Sequence, residues 1–239
     1  MPNNSIYYDI SKYYDLMYVN EETYQTETDR VFSIVSQYKT SAGNDLLDIA
    51  CGTGAQAFYL QNQFNVTGID ISDEMLDIAK KKVKSAAFMK ADMFNFNLEK
   101  QFDVIVSLYG AIGHAKTIND LFSAMKCVHK HLKQGGIFVA TPFNTKESYS
   151  DALVVRSKAF DLTGFCRMET VKRLCDDKLI IEMHHLISTE LDVKYHKYTQ
   201  YISLFSEGEY VNSIQKAGLK ILKRLTPEEF RMGAFICTI

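Results

Sequence analysis

The chain has 239 residues, 46% of them hydrophobic, and a formal net charge of −2. That length suffices for one substantial α/β domain burying roughly 70% or more of its unfolded surface, and the near-neutral balance excludes a generally basic nucleic-acid or anionic-membrane binder. No apolar run approaches the ~18 residues of a membrane span, and the opening MPNNSIYYDISKYYD lacks the basic-then-apolar pattern of a secretory leader. Five scattered cysteines without a CxxC fit free thiols and a cytoplasmic setting. The histidines show no metal spacing. His129 and His131 diverge on a helix, and His184 and His185 point oppositely on a strand, so no metal is expected.

Residues 1–19 hold Tyr7, Tyr8, Tyr13, Tyr14 and Tyr18. The stretch reads as an amphipathic helix using tyrosine in the core, or as part of an N-terminal lid over 1–40, since a phenol has an apolar face and a polar tip. Asn20 caps a helix running to Lys39, with Val31, Ile34 and Val35 on one face. DLLDIACGTG, residues 45–54, follows: a short apolar run interrupted by Asp48, then Gly52 and Gly54. The run suits a buried strand, and glycines without Cβ allow a tight turn and close approach to a ligand. AQAFYLQNQF has helical spacing at Ala57, Phe58 and Leu60, giving strand, glycine turn and helix. The free N–H groups of such a helix start face the ligand edge of an open α/β sheet.

FNVTGIDIS ends a second apolar run at Asp70, where an acid can accept both hydroxyls of a ribose. The two features together call for a ligand with an adenosine-like moiety. Ser72 caps the next helix, and Lys80, Lys81, Lys82 and Lys84 at its end read as a solvated face. AAFMKAD gives a third strand ending at Asp92, and FDVIVSLYGAIGH a fourth ending near Leu108 to Gly110. Thr117 and Asp120 form a cap for a helix to about Lys133, which Gly135 and Gly136 end before the strand GIFVATPF. This alternation predicts a doubly wound, mostly parallel seven-stranded sheet.

The pattern changes after Asn144. Residues 164–205 read as three antiparallel strands with Asp176-Asp177 as a hairpin turn, within a β-rich insertion spanning about 145–205 that could cap the ligand edge. Ser206 and Glu209 form a capping box, and Gly218 ends that helix. LKILKRL and MGAFICTI then supply two closing antiparallel strands. The whole is read as one domain.

This order resembles the class I S-adenosylmethionine-dependent methyltransferases over nearly the whole chain. DIACGTG, GIDIS, KADMF and FDVIVSLYGAIGH match their first four motifs, with Ala50 where many members have glycine. The resemblance implies that Asp48 and the backbone of Ala50, Cys51, Gly52 and Gly54 hold the methionine end of S-adenosyl-L-methionine. It further implies Asp70 on the ribose, Ile71 on adenine, Asp92 on its amino group, Met93 offering a backbone N–H, and Leu108 beside the cofactor.

A narrower resemblance, carried by YDLMY, IGH, LFSEGEYVNSIQKAGL and RMGAFI, is to the N-methyltransferases that dimethylate the amine of nucleotide-linked deoxyamino sugars. It implies Tyr18 and His114 beside the accepting nitrogen and Arg231 near a nucleotide phosphate. Where those relatives carry tryptophans after the fifth strand, this chain has TPFNTKE and no tryptophan. Tyr14, Arg167, Tyr198 and Tyr201 complete the expected acceptor pocket. The expected partner is a small molecule, with no nucleic acid or membrane and with a homodimer left open.

An N- or O-methyltransferase acting on another small metabolite is the nearest alternative. Gly52, Gly54 and Ala57 also satisfy GxGxxA, so an NAD-linked oxidoreductase is a rival; Asp48, Asp92 and the two closing strands speak against it. A silent methyltransferase-like binding protein is the other rival. Methyl transfer from a sulfonium needs alignment and exclusion of water, with no metal and no covalent nucleophile.

Overall fold

The computed structural model describes residues 6–160 and 163–239. Residues 1–5 of the expected lid, and the side chains of Tyr7 and Tyr8, lie outside that description. β1 (Asp45–Ile49) is central in a seven-stranded sheet, flanked on one side by β2 (Asn65–Asp70) and β3 (Ala87–Lys90). On the other side stand β4 (Phe102–Ser107), β5 (Leu132–Ala140), β11 (Ala234–Thr238) and the edge strand β10 (Lys220–Leu225). β1 to β5 are parallel, and β11 runs antiparallel to both its neighbours. Strand order reverses at β1, which is where doubly wound sheets open a ligand crevice.

Successive side chains on a strand point to opposite faces, so each strand feeds two apolar layers. Ile137 and Val139 of β5 join a layer with α2 (Glu21–Tyr38), α3 (Ala55–Leu60) and α4 (Asp73–Lys82). Phe138 and Ala140 join the opposite layer, with α5 (Ile118–His131) and α6 (Glu207–Lys216). The helix starts follow the capping expectations. Asn20 accepts from Thr23 N–H and Ser72 from Met75 N–H, and Thr117–Asp120 and Ser206–Glu209 form complete capping boxes. Two N–H donors per box are satisfied reciprocally.

A second sheet of four antiparallel strands covers residues 152–203: β6 (Ala152–Phe160), β7 (Thr163–Cys175), β8 (Lys178–Ser188) and β9 (Val193–Ser203). The sequence reading gave three strands and missed β6, whose ALVVRSKAF lacks clean alternation. Asp176-Asp177 does turn β7 into β8. α1 (Ile6–Tyr18) packs on this sheet through Ile10 and Met17 against Phe165 and Ile187.

Three other local expectations change. Gly135 and Gly136 lie inside β5, not at a helix end. Phe102 pairs with Leu132 and Val104 with Ile137, so residues 133–136 bulge out of the ladder, with Gly135 at φ +75°. Phe58 is exposed, because the six-residue helix turns Ala55, Gln56, Ala57 and Leu60 inward and leaves Phe58 on its outer side. Lys82 leaves the solvated lysine face: its ammonium pairs with Asp15 of α1 and donates to Thr53 Oγ1 at 3.2 Å. That contact ties α1 to the glycine turn after β1. Among the described residues no helix is long and apolar enough to cross a membrane.

Candidate active site

The turn after β1 is built from left-handed residues. Ala50, Gly52 and Gly54 have φ of +60°, +54° and +72°. Glycine adopts this region freely, whereas an L-residue such as Ala50 carries strain of roughly 1–2 kcal/mol there. The two glycines serve different ends. A Cβ on Gly52 would meet nothing within 4 Å, so its backbone faces open space, whereas one on Gly54 would press on Ala79 of α4 at 3.0 Å. Gly54 therefore makes the helix-to-helix fit, and Gly52 lines a cavity of about 360 Å³.

That cavity crosses the switch point between β1, β2 and β4. Of the residues expected to hold the cofactor, Asp48, Ala50, Cys51, Gly52, Asp70, Ile71, Asp92, Met93 and Leu108 all line it, with Tyr14 and His114. Asp70 is the pin of the turn: Gly52 N–H donates to its Oδ2 and Ser72 N–H to its Oδ1, each at 2.9 Å. Each carboxylate oxygen keeps further acceptor capacity toward the cavity. Asp92 closes its own turn by accepting from Phe94 N–H at 2.9 Å. Ile71 is 62% exposed, an unusual position for isoleucine unless a flat apolar group covers it.

Asp48 is 3% exposed, and its Oδ2 has no hydrogen-bond partner among the described residues. Burial, reinforced by the nearby Asp70 charge, pushes its carboxyl up to about 8. Burial also pushes Asp70 above the usual carboxylate range, against the lowering effect of its backbone N–H bonds. Two acids converging on one cavity suit a ligand rich in donors. The unpaired Asp48 oxygen, the open space at Gly52 and the bare Ile71 fit an ammonium-bearing nucleoside such as S-adenosylmethionine.

At the cavity's far end stands a 3-10 turn, Ala111–His114, entered through Tyr109 and Gly110, both at positive φ. His114 Nδ1 lies 3.1 Å from Gln200 Nε2 of β9, so the cap sheet meets the cavity there. An amide nitrogen only donates, so Nδ1 accepts and the neutral ring carries its proton on Nε2. Burial holds the His114 pKa below the ordinary imidazole value. Tyr109 stacks on Tyr24 at 4.6 Å and donates to Gln56 Oε1 at 3.1 Å, forming another wall.

The remaining expected acceptor residues separate into three places. Tyr18 stacks on Tyr14 at 4.7 Å, but its hydroxyl reaches into the cap sheet and donates to Glu169 Oε1 at 2.8 Å. Arg167 lies over the Tyr18 ring at 4.2 Å, and Tyr198 packs beside Tyr18, both on the inner face of the cap. Tyr201 sits at the opposite parity of β9 and is 63% exposed on the outer face. Arg231 is exposed on the loop before β11, where its charge acts on Tyr24 and Tyr109. Asp15, Glu169, His185 and Gln200 are polar residues the sequence reading did not single out. A single sequence does not reveal which side chains of an inserted sheet will face a distant helix.

A strained glycine turn, acids at two successive strand tips and one cavity across the switch point define an α/β enzyme that binds a nucleoside. Comparison with known proteins narrows the class: residues 46–136 match a family model described as a methyltransferase domain. The chain is an S-adenosylmethionine-dependent methyltransferase, which sets aside the nicotinamide reading.

The dTDP-3-amino-3,4,6-trideoxy-alpha-D-glucopyranose N,N-dimethyltransferase of Streptomyces venezuelae is 27% identical over 225 residues, covering 87% of this chain and 89% of its own. The crystal structure of Streptomyces venezuelae DesVI has a TM-score of 0.88 at 26% identity, covering 95% of this chain and 97% of that one. The sugar N-methyltransferase KedS8 from a Streptoalloteichus species gives 0.86 at 27% identity, covering 94% and 92%. These likenesses extend through the cap sheet as well as the methyltransferase core.

Proposed function

We propose that this methyltransferase acts on the amine of a nucleotide-linked deoxyamino sugar. The observation that carries the reading is the His114–Gln200 contact at 3.1 Å, by which the cap sheet closes on the acceptor end of the cavity. A relative named for that substrate class and a structure named a sugar N-methyltransferase align over most of the chain, cap included. A cap joined to the cavity in this way suits an acceptor longer than a free amine, with its reacting end between His114 and Tyr14.

Asp70 would accept the ribose hydroxyls, Ile71 would cover adenine, and Asp92 and the Met93 N–H would meet its edge. Asp48 and the backbone of Ala50 to Gly54 would hold the methionine end. When bound, S-adenosylmethionine supplies a methyl group already activated for in-line displacement. The chain's own work is then alignment and desolvation.

The amine must be neutral to attack. His114, neutral because it is buried and with Nδ1 engaged by Gln200, offers an N–H from Nε2 rather than a vacant base site. It therefore orients the acceptor by donating to an oxygen beside the amine, which leaves the amine's lone pair free, and the amine's proton leaves to solvent after transfer. Tyr14 supplies the facing wall with Tyr18 stacked on it, and Arg231 would meet the nucleotide phosphate.

The test is a screen with labelled cofactor over nucleotide-linked amino sugars, simple amines and hydroxyl acceptors. Methylation and dimethylation of the nucleotide-linked amines are expected. Efficient transfer only to hydroxyls, or only to amines without a nucleotide, would replace this reading with the broader small-metabolite one.

A further inference from the structure

α1 is joined to its two neighbours by different means. Its buried Ile10 and Met17 pack with Phe165 and Ile187 of the cap, and Tyr13, Leu16 and Tyr18 lie against the same cluster. Among the described residues, none of α1 enters either apolar layer of the main sheet. Toward that sheet the helix presents Asp15, which meets Thr53 and Lys82. Apolar packing therefore binds α1 to the cap, whereas Asp15 ties it to the methyltransferase core through polar contacts.

The three residues of this tie come from α1, the turn after β1 and the last turn of α4. Lys82 Nζ pairs with Asp15 Oδ2 and donates to Thr53 Oγ1 at 3.2 Å, and the Thr53 hydroxyl donates to Asp15 Oδ1. An ammonium only donates and an ionised carboxylate only accepts, so the hydroxyl passes its single proton to Asp15. The Lys82 and Asp15 side chains are 23% and 36% exposed, so water can replace the contact when it parts.

Its position bears on the cofactor. Thr53 stands between Gly52 and Gly54, is buried and lines the cavity. Tyr14, the residue before Asp15, is the part of α1 that lines the same cavity. One contact therefore steadies the turn read above as the seat of the methionine end and sets a ring of α1 against the cavity.

We propose that Lys82 is a positioning residue for the cofactor: through Asp15 and Thr53 it latches α1 onto the turn after β1. Parting of this latch is the step by which S-adenosylmethionine enters and S-adenosylhomocysteine leaves. The inference rests on the cofactor's place in the cavity and is independent of which acceptor is methylated. α1 goes with the cap when the latch parts, because its apolar side chains are held there.

Rates of S-adenosylhomocysteine association and dissociation on immobilised protein test this. Asp15→Ala removes the acceptor for both Thr53 and Lys82. Its dissociation rate should rise by about tenfold or more, the size of one charged hydrogen bond. Lys82→Met keeps the Thr53–Asp15 bond and should give a rise of about threefold to fivefold, the range of a partly exposed ion pair. Lys82→Arg keeps the charge and should stay close to wild type. In the Asp15→Ala background, Lys82→Met should add nothing further, since the two residues act as one unit. A latch slows passage both ways, so association should quicken as well and Kd should move less than the dissociation rate. A lost cofactor contact would raise the dissociation rate alone.

Trypsin cleavage after Lys12, exposed on α1, reads the helix directly. It should be faster in Asp15→Ala and Lys82→Met than in wild type and Lys82→Arg, in the order of the dissociation rates. Melting curves check that each variant is folded. Should Asp15→Ala not fold, Lys82→Met against Lys82→Arg carries the same comparison. Unchanged rates in folded variants, or faster dissociation with unchanged association, would overturn the latch. Unchanged affinity in Asp70→Ala, which probes the cavity itself, would instead overturn the cofactor's place there, and the latch with it.

Discussion

Gln200 of the cap sheet reaches His114 at the cavity end, with 3.1 Å between the amide nitrogen and Nδ1. The contact fixes the ring's orientation and leaves Nε2–H as the group a substrate meets. His114→Ala should therefore lower kcat by about tenfold or less while raising the acceptor's KM, and His114→Asn should recover much of the loss. A general base would cost about 10²-fold or more and would not be rescued by an amide. Because burial lowers the His114 pKa, the folded chain binds its proton less readily than the unfolded chain. The stability this residue contributes is present above about pH 6.5 and is lost as pH falls below that value. Single-turnover methyl transfer across pH for the wild type and both variants checks the catalytic claim. Melting curves over the same range check the linkage.

Asp70 does two jobs at once, and one substitution separates them from a simple cofactor contact. Asp70→Ala removes the acceptor from Gly52 N–H and Ser72 N–H, so it should destabilise the fold by about 1–3 kcal/mol. It should also weaken S-adenosylhomocysteine by about tenfold or more, the loss expected when a charged hydrogen-bond partner disappears. Calorimetry measures the second effect and denaturant titration the first. Unchanged affinity in a folded variant would remove Asp70 from the ribose.

Asp48 should reveal itself in the opposite pH direction to His114. Its folded-state pKa of about 8 lies above the ordinary aspartate value, since burial and Asp70 disfavour its charge. Its contribution to stability is complete below about pH 3.9 and is lost as pH rises toward 8. Asp48→Asn should therefore raise the melting temperature at pH 8 more than at pH 5, with each kcal/mol gained worth roughly 2–4 °C for a chain this size. The same variant should bind S-adenosylhomocysteine more weakly, because an amide replaces the acceptor aimed at the cavity. A melting temperature that falls at both pH values would show that the carboxylate is compensated in a way the geometry omits.

Much of this was legible because the core obeys local rules. β1, β2 and β4 are short apolar runs, the helix starts carry capping residues, and the acids stand at strand tips, so sheet order and cavity follow from neighbouring residues. What was not legible depends on distant pairings. Lys82 looks like one of several solvated lysines until Asp15 arrives from α1, which is far away in sequence. β6 was missed because Leu153 and Val155 lie on an exposed face, giving its run no buried period to read. Glu169 and His185 are ordinary strand residues in sequence and become a cluster only when Tyr18 descends on them.

The cap sheet yields the last prediction, because period-two alternation assigns its side chains to two faces. His196, Tyr198, Gln200 and Ile202 share one parity of β9, and Gln200 on that side touches His114. Tyr198 lies between, within hydrogen-bonding reach of His196 Nδ1 at 3.3 Å and packed near Tyr18. Tyr201 has the other parity and is 63% exposed. Tyr201→Ala should therefore leave both the acceptor and the cofactor kinetics within about twofold of wild type, as surface changes away from a site usually do. Tyr198→Ala removes a ring from the inner face next to α1 and should raise the acceptor's KM several-fold more than the cofactor's. Tyr198→Phe keeps the ring and should fall between the two, which separates packing from the hydroxyl. Steady-state kinetics with each substrate varied at saturating levels of the other gives both KM values. If Tyr201→Ala impaired the acceptor while Tyr198→Ala did not, the acceptor would have to approach from the outer face of the cap, and its assignment to the Gln200–His114 side would be wrong.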